Sequence, residues 1–444
     1  MKRKRYLWIL FYAFAVLLPS IFYISDAINK QLGFLLILAG FFGTTAYSLF
    51  AFQFFLTSRP KIIDKQFGLD RIYRFHMFIA VAALVFAFTH KMIKGIYFSE
   101  SFQTQLGDAA LTIFIVISIF SVLMMVNKLF FKVKIVDILR KFLNNTLKIK
   151  HQYKVLIHNI FLIALVVLLF HILLASSVKT NLPLEITLIT YFIVPLISYF
   201  NHKIIKVHFN KSKKYTVSEI INESENITTI KFKPKYGKVF QYMPGQFMYL
   251  RLYNPDIPRD EHPFTISSSP WHTDYVSVTV KQLGDFTNSL NKLKVGDDSY
   301  IDGPFGKFSY LKRPDHKKIC FIAGGIGITP FLGMLRYMNS TDNGKDVILL
   351  WGARDLSEVI CKKELDGYAS KFENFKFVPV ISGDKSYNGE KGYIDANLIK
   401  KYTADPLDYD FYLCGPPVMM EMMIKNLKSL GVPKDNVYFE RFAI

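Results

Sequence analysis

Six apolar segments fill the first 200 residues, and they constrain the fold more than any other feature of the sequence. Each is between 17 and 25 residues long, which is about the length that crosses a hydrocarbon core. They lie at 6–25, 32–56, 72–90, 109–127, 155–176 and 184–200. Further apolar segments follow the first, and no small-residue cleavage site separates them. The basic start of the chain therefore indicates a retained first helix rather than a signal peptide.

Lysine and arginine are distributed unevenly among the loops between these segments. The N-terminus and residues 57–74, 128–154 and 201–214 together carry 22 Lys and Arg, whereas the three opposite connections carry four. Basic loops stay on the cytoplasmic side, so we expect a multi-pass protein of the cell membrane whose N-terminus and residues 201–444 are cytoplasmic. An anionic membrane surface attracts basic residues. It accounts for the formal net charge of +20 without a nucleic-acid partner.

Four histidines lie within the apolar segments: His76 and His90 on the third, His158 and His171 on the fifth. Ionisable groups at membrane depth are costly and usually functional. A hydrogen bond to a neighbouring helix can explain one such histidine, but not two similarly spaced pairs. Both helices run outward, so spacings of 14 and 13 residues separate two levels by about 20 Å. This pattern predicts two stacked bis-histidine haems, an inner one on His76 and His158 and an outer one on His90 and His171.

The spacing of 13 residues on the fifth segment does not match the helical repeat. On a straight helix it leaves His171 about 140° away from His158, and neither Gly nor Pro lies between them. Two alternatives remain open at this point. The helix contains a local irregularity, or the two haems occupy different flanks of it.

Residues 215–310 alternate short β-type runs with turns, which predicts a small antiparallel barrel. Within it, an HPFT segment joins an aromatic that can stack on a flavin ring to a hydroxyl that can hydrogen-bond it. A basic residue and a GDFT segment follow, and a helix start there would favour a pyrophosphate. The residues predicted to bind the flavin dinucleotide are His262, Pro263, Phe264, Thr265, Lys281, Gly284, Asp285, Phe286 and Thr287.

From Lys318 onward, strands alternate with helices, which is typical of a parallel sheet. A strand runs into the segment GGIGITP, where glycines allow a close approach to a pyrophosphate, although Pro330 stands in place of the usual third glycine. Arg354 ends the next strand and suits a 2′-phosphate, and a CGPP segment ends a later one. The residues predicted to bind NADPH are Gly324, Gly325, Gly327, Thr329, Pro330, Arg354, Cys414, Gly415 and Pro416.

With these motifs assembled, the chain resembles the NADPH oxidase and ferric reductase superfamily over nearly its whole length, as a bacterial NADPH oxidase-like flavocytochrome. The histidine pairs and HPFT carry the resemblance most specifically. It implies a six-helix transmembrane haem bundle over residues 1–205. A ferredoxin–NADP reductase module would follow, with an antiparallel β-barrel FAD domain at 213–312 and an α/β NAD(P)H-binding domain at 316–444.

The resemblance also implies roles for single residues. Phe264 takes the stacking place against the flavin, Thr265 the hydroxyl near its reactive nitrogen, and His262 replaces an arginine that contacts phosphate. Cys414 lies beside the nicotinamide. Phe442 is similar to the aromatic that covers the flavin and moves aside for nicotinamide, although two residues follow it here and many relatives end at the aromatic. We therefore expect Thr265, Cys414 and Phe442 to act in catalysis.

The expected activity is electron transfer from cytosolic NADPH, or NADH, through FAD and two b haems to dioxygen outside, giving superoxide. A ferric or metal-chelate reductase on the same scaffold is the alternative. The outer loops 91–108 and 177–183 contain no cluster of Asp, Glu or His, which favours dioxygen over ferric iron. A haem-free transport or docking module is a third reading. The bilayer is an expected partner, and no obligatory protein activator is expected.

Overall fold

The computed structural model describes residues 2–125, 134–147, 149, 151–341 and 344–439. The chain divides into two compact units, Met1–His208 and Phe209–Ile444. The first unit is helical and the second contains both β-sheets, so each is described by itself.

Six helical segments of the first unit are long and apolar enough to cross a membrane, and each of the six predicted segments overlaps one of them. The helices are α1 (Lys2–Asn29), α2 (Phe34–Thr57), α3 (Lys61–Phe67), α4 (Leu69–Tyr97), α5 (Phe102–Met124), α6 (Lys134–Leu147), α7 (His151–His158), α8 (Phe161–Leu173), α9 (Ser176–Lys179), α10 (Leu182–Phe200) and α11 (Lys206–Phe209), with a π-helix at Asn201–Ile205. Helix α2 packs against α1, α4 and α10, and α5 packs against α8.

The fifth apolar segment is interrupted between α7 and α8. The amide nitrogen of Ile160 donates to the carbonyl of Ile157 at 3.1 Å, and that of Ile163 donates to the carbonyl of Ile160 at 2.9 Å. Such three-residue hydrogen bonds wind the chain by about 120° per residue instead of 100°. The structure therefore contains the local irregularity that can reconcile the 13-residue spacing of His158 and His171 with a helix. Neither Gly nor Pro causes it, since neither lies between the two histidines.

The second unit begins with a six-stranded antiparallel sheet in the order β4-β3-β6-β1-β2-β5. A bridge between Ile266 and Val278 joins the two edges, so the sheet closes into the predicted barrel. Alternate side chains fill its interior, among them Tyr215, Phe232 and Leu250. Its elements are β1 (Lys214–Ser224), β2 (Ile227–Pro234), β3 (Phe247–Tyr253), β4 (His262–Thr265), β5 (Val276–Lys281), α12 (Asp285–Ser289) and β6 (Asp298–Phe305).

The rest of the second unit is a six-stranded parallel sheet in the order β10-β9-β8-β7-β11-β12. The chain proceeds from β7 to one edge and then returns to the other side of β7, so the strand order reverses between β7 and β11. Ligands bind at such switch points, beyond the carboxyl ends of the strands. The elements are β7 (Lys318–Gly324), α13 (Thr329–Thr341), β8 (Asp346–Ala353), α14 (Lys362–Lys371), β9 (Phe375–Ile381), β10 (Glu390–Lys391), α15 (Ala396–Thr403), β11 (Asp410–Cys414), α16 (Pro417–Ser429) and β12 (Val437–Phe439).

Candidate functional site

The four histidines predicted to bind haem face each other as two pairs. The ring centres of His76 and His158 are 6.3 Å apart, and those of His90 and His171 are also 6.3 Å apart. Within each pair, α4 supplies one histidine and the fifth apolar segment supplies the other. The pairing is the one that the sequence predicts.

The separation within each pair suits two imidazoles that hold one metal ion between them. A metal–imidazole bond is about 2.0 Å long and a ring nitrogen lies about 1 Å from the ring centre, so opposite ligands place their ring centres about 6 Å apart. Within the described residues, no group of three or more His, Cys, Asp or Glu side chains could hold a metal ion. A metal at either pair would thus take further ligands from outside this set of side chains, and a macrocycle such as haem supplies four.

Backbone carbonyls orient both histidines of the outer pair. His90 donates from Nδ1 to the carbonyl of Ala39 at 2.7 Å, and His171 donates from Nδ1 to the carbonyl of Gln103 at 2.7 Å. Since a carbonyl only accepts, Nδ1 carries the proton in each ring and Nε2 keeps its lone pair. This is the tautomer that ligates a metal through Nε2, with its orientation fixed from behind.

A glycine lies against each of these two rings. A Cβ built on Gly43 of α2 would be 2.6 Å from His90 Nδ1, and one on Gly107 of α5 would be 2.7 Å from His171 Nδ1. Each glycine follows the accepting residue, Ala39 or Gln103, by four positions. Only glycine lets the imidazole approach the helix closely enough to reach that carbonyl.

The inner pair is held differently. The Ser121 hydroxyl donates to the carbonyl of Ile117 at 2.7 Å and lies 2.8 Å from His158 Nδ1. Because the hydroxyl proton of Ser121 is used in the bond to Ile117, the hydroxyl oxygen accepts from His158 Nδ1. His158 therefore has the same tautomer as the histidines of the outer pair. His76 Nδ1 is buried without a hydrogen bond in the described part of the chain.

Gly43, Gly107 and Ser121 were not predicted from the sequence. The groups that accept hydrogen bonds from the outer histidines are backbone carbonyls, and every residue has one, so residue type does not reveal them. The available signal was a small residue on a neighbouring span at the depth of each histidine.

In the second unit, the HPFT and GDFT segments lie together. The ring of His262 stacks on Phe286 at 3.9 Å, and the ring of Phe264 is nearly parallel to Phe286 at 6.0 Å. His262 and Phe264 are two residues apart in β4 and therefore share one face of the strand. Pro263 and Thr265 are on the opposite face, and Thr265 is buried. The flavin roles of these residues stay predictions.

The GDFT segment begins the short helix α12. The Thr287 hydroxyl oxygen accepts hydrogen bonds from the backbone of Leu283 and of Gly284, both at 2.9 Å. Gly284 and Asp285 are exposed. The threonine thus shapes the turn, and the backbone N–H of Gly284 is already used within it. The phosphate contact of this segment stays a prediction.

Lys281, at the end of β5, forms an ion pair within the second unit. Its Nζ lies 2.7 Å from Glu358 Oε1, and Glu358 Oε2 accepts from the backbone nitrogen of Arg354 at 3.3 Å. The lysine predicted to contact FAD therefore ties the barrel to the loop after β8. The Arg354 side chain is exposed and makes no hydrogen bond to the residues described, so its guanidinium is available to a ligand phosphate.

The GGIGITP and CGPP segments meet at the switch point of the parallel sheet. A Cβ built on Gly327 would be 2.3 Å from the carbonyl oxygen of Cys414, and one on Gly415 would be 3.1 Å from the Cα of Gly324. Gly325 has a φ of 52°, a conformation that glycine adopts readily. A side chain on Gly327 would clash with the backbone of the CGPP turn, so this position requires glycine.

The remaining predicted residues of this domain lie nearby. Thr329 and Pro330 begin α13 and are buried, as is Cys414, which is 4% exposed; Pro416 is exposed and precedes α16. The Cys414 thiol packs in the core beneath the turn, so contact with a nicotinamide would require its backbone rather than a protruding sulfur. Phe442 lies outside the described residues.

Helix α13 fixes the barrel against the parallel sheet. A Cβ on Gly333 would be 2.8 Å from the carbonyl oxygen of Ile266, and Arg336 Nη1 donates to the carbonyl of Ser267 at 2.7 Å. Arg336 also forms a two-pronged ion pair with Glu364, at 2.8 and 2.7 Å. The end of the strand that carries HPFT is thereby fixed against the helix that follows GGIGITP.

A cavity of about 660 Å³ lies elsewhere in the second unit, and none of the predicted site residues lines it. It contains Cys361, whose thiol has its pKa raised to about 12 by burial and so stays protonated at neutral pH. The cavity therefore does not present a reactive thiolate.

Comparison with known proteins identifies both parts of the second unit. An FAD-binding domain family matches residues 209–309, and an oxidoreductase NAD-binding domain family matches residues 321–425. Among solved structures, the flavohaem-like FAD/NAD-binding domain of nitric oxide dioxygenase from Vibrio cholerae aligns with a TM-score of 0.47 and 23% identity. The alignment covers 52% of this chain and 98% of that one.

Curated relatives include a glycine betaine monooxygenase reductase subunit from Chromohalobacter salexigens, 29% identical over 55% of this chain and 68% of that protein. A propane 2-monooxygenase reductase component from Mycolicibacterium goodii is 28% identical over 50% of this chain and 65% of its own length. The chain thus spans about two thirds of these relatives. The matches and the geometry together make the second unit a ferredoxin–NADP reductase-like module, an FAD-binding domain followed by an NAD-binding domain, of an electron-transferring oxidoreductase.

Proposed function

We propose that this chain is a membrane flavocytochrome of the NADPH oxidase type. It transfers electrons from cytosolic NADPH through FAD and two bis-histidine haems to dioxygen outside, producing superoxide. One observation carries the proposal. Two pairs of imidazoles, each with ring centres 6.3 Å apart, are stacked inside a bundle of long apolar helices in a chain that also holds an NAD(P)H- and FAD-binding module.

The residues present fit the cofactors. His76 and His158 would hold one haem, and His90 and His171 the other, with the Nδ1 hydrogen bonds of three of them leaving Nε2 for the iron. A flavin takes up electrons in pairs and a six-coordinate haem carries them singly, and the protein supplies position and electrostatics. Because a histidine would lie on each side of the iron, the residues present would leave no place for dioxygen on the metal itself.

We propose different roles for the module and for the helical unit. The relatives are named as reductases that serve oxygenases, and the two matched families lie within residues 209–425. The helical unit, Met1–His208, lies outside those matches. We assign to it the transfer of electrons across the membrane, so that the helical unit replaces an oxygenase partner as the acceptor of the module's electrons.

Reduction of cytochrome c by the purified, FAD-supplemented chain with NADPH tests the final acceptor. If superoxide carries the electrons, superoxide dismutase abolishes most of the signal. If the signal survives dismutase and a ferric chelate is reduced efficiently without oxygen, the chain is a metal reductase instead.

Substitution of Gly107 by alanine tests the orientation of the outer pair. The added methyl group would lie within 2.7 Å of the His171 ring, so the imidazole must leave its hydrogen bond to Gln103. We expect haem content to fall from two towards one per chain, as measured by pyridine haemochrome. Gly95→Ala is the matched control, since a Cβ there meets nothing within 4 Å. An unchanged haem content in Gly107→Ala would contradict this role of the glycine.

Arg354→Ala tests the choice of nicotinamide. Loss of a charged hydrogen bond to the 2′-phosphate costs about 1.5–3 kcal/mol, so kcat/KM for NADPH should fall by about tenfold to a hundredfold, while that for NADH stays unchanged. Lys400→Ala removes an exposed cation from α15 and should affect neither substrate. Equal losses for both nucleotides would show that Arg354 does not read the 2′-phosphate.

A further inference from the structure

Helix α6 presents an apolar face that no described residue covers. Ile135, Ile138, Leu139 and Phe142 follow the spacing i, i+3, i+4, i+7, which places them on one side of a helix. Ile135, Ile138 and Phe142 are each more than 60% exposed. With only 14 residues, α6 is too short to cross a membrane. A stripe of four large apolar side chains on so short a helix needs an apolar neighbour.

The other side of α6 is tied to the ends of two membrane-spanning helices. Arg140 is 7% exposed, and its guanidinium donates to the carbonyls of Val122 at 3.1 Å and Leu123 at 3.3 Å, in the last turn of α5. Lys154 of α7 donates to Asn144 Oδ1 at 2.8 Å. Helix α6 is therefore held where one span ends and the next begins.

This position sets the depth of α6. The cytoplasmic ends of α5 and α7 lie where hydrocarbon gives way to headgroups, if the long helices span a membrane as proposed above. A helix with one apolar and one polar face lies stably in that layer, with its apolar side chains at the headgroup–acyl boundary. The free face of α6 has this composition.

The charge of the segment that contains α6 indicates which lipids the helix would bind. Residues 126–154 contain eight Lys and Arg and a single acidic residue, Asp137. Asp137 is already paired with Arg140 at 3.3 Å. Lys141 is exposed on α6 itself, beside the apolar stripe. Anionic lipids of the cytoplasmic leaflet attract such basic segments.

We propose that α6 is a lipid-binding helix. It lies in the headgroup layer of the cytoplasmic leaflet, with the stripe of Ile135, Ile138, Leu139 and Phe142 inserted at the acyl boundary and Lys141 against anionic phosphates. The inference rests on the proposed membrane placement of the long helices. It adds a surface contact, and a lipid class, that electron transfer itself does not require.

Spin labels on single cysteines test the proposal in nanodiscs. Cys320 and Cys414 are buried, so Cys361→Ser gives a background for labelling. One label replaces Ile138 on the stripe, and another replaces Lys141 as the matched control on the same helix. A third replaces Val85, which is exposed on α4. Power saturation with dissolved oxygen and with a water-soluble nickel chelate reports whether each label contacts lipid or water.

We expect the labels at 138 and 85 to be relaxed by oxygen and shielded from the nickel chelate, and the label at 141 to show the reverse. Adding phosphatidylglycerol to phosphatidylcholine nanodiscs should raise the ratio of oxygen to nickel accessibility at 138 by about twofold, since anionic headgroups attract basic segments.

Two results would overturn the lipid contact while leaving the spans intact. Nickel access at 138 with lipid access at 85 would place the stripe in water. Shielding of 138 from both reagents would place it against protein, whether another part of this chain, a second copy or a partner. Indifference to phosphatidylglycerol would refute the anionic preference. Nickel access at 85 would instead refute the membrane placement on which the proposal rests.

Discussion

His171→Ala should reduce NADPH-driven superoxide formation by about a hundredfold or more, because loss of an iron ligand costs at least as much as loss of the groups behind it. The His171 ring faces His90 at 6.3 Å, so its removal leaves the outer site with a single imidazole. Reduction of ferricyanide by the FAD-containing module should continue, since that module lies in the other unit. Dismutase-sensitive cytochrome c reduction and ferricyanide reduction, measured on the same preparation, separate the two activities.

His208→Ala is the control for that experiment. His208 is an exposed histidine that bonds the carbonyl of Ile204 in its own turn, and its loss should leave both activities unchanged. If His171→Ala retained superoxide formation, electrons would leave the protein before the outer site, and the proposed route would be wrong.

Gly327→Ala should abolish oxidation of NAD(P)H, with a loss of about a hundredfold or more. Its Cβ would lie 2.3 Å from the carbonyl oxygen of Cys414, and β7 and β11 cannot move apart because their backbones are paired from Ile319 to Ala323. The turn must therefore distort, and the surface offered to a pyrophosphate changes with it. Stopped-flow measurement of flavin reduction by NADPH reports this step alone.

Two further measurements separate a local distortion from misfolding. The FAD and haem contents of Gly327→Ala should equal those of the parent chain, because the change is confined to the switch point. Gly367→Ala, on α14 with nothing within 4 Å of the new methyl group, should reduce flavin at the parent rate. Normal flavin reduction in Gly327→Ala would exclude this turn from the nucleotide site.

The sequence was sufficient for the architecture because its signals are local. Six apolar runs of this length predict helices that are long enough to cross a hydrocarbon core. The change from strand–turn repeats to strand–helix repeats near Lys318 separates the barrel from the parallel sheet. Pairing of the histidines followed from helix direction alone. The same reasoning detected that a spacing of 13 residues between His158 and His171 does not fit a straight helix. It could not locate the tight turn at Ile160, which depends on packing.

Details of the site depended on contacts that a sequence does not encode. Lys281 illustrates this, since the sequence predicts that it contacts FAD. In the structure its Nζ lies 2.7 Å from Glu358 Oε1, 77 residues further along the chain. Residue type alone could not predict that this amine already has a carboxylate partner.

Haem content and its reduction by NADPH test the central claim most directly. The purified chain, supplied with FAD and kept free of oxygen, is titrated with NADPH while its visible spectrum is recorded, and haem is quantified as pyridine haemochrome. We expect two b haems per chain, for the two histidine pairs, with a Soret band that shifts as NADPH reduces both. A chain that has been expressed with adequate haem and still shows no Soret band would contradict it. The histidine pairs would then serve a haem-free transport or docking function.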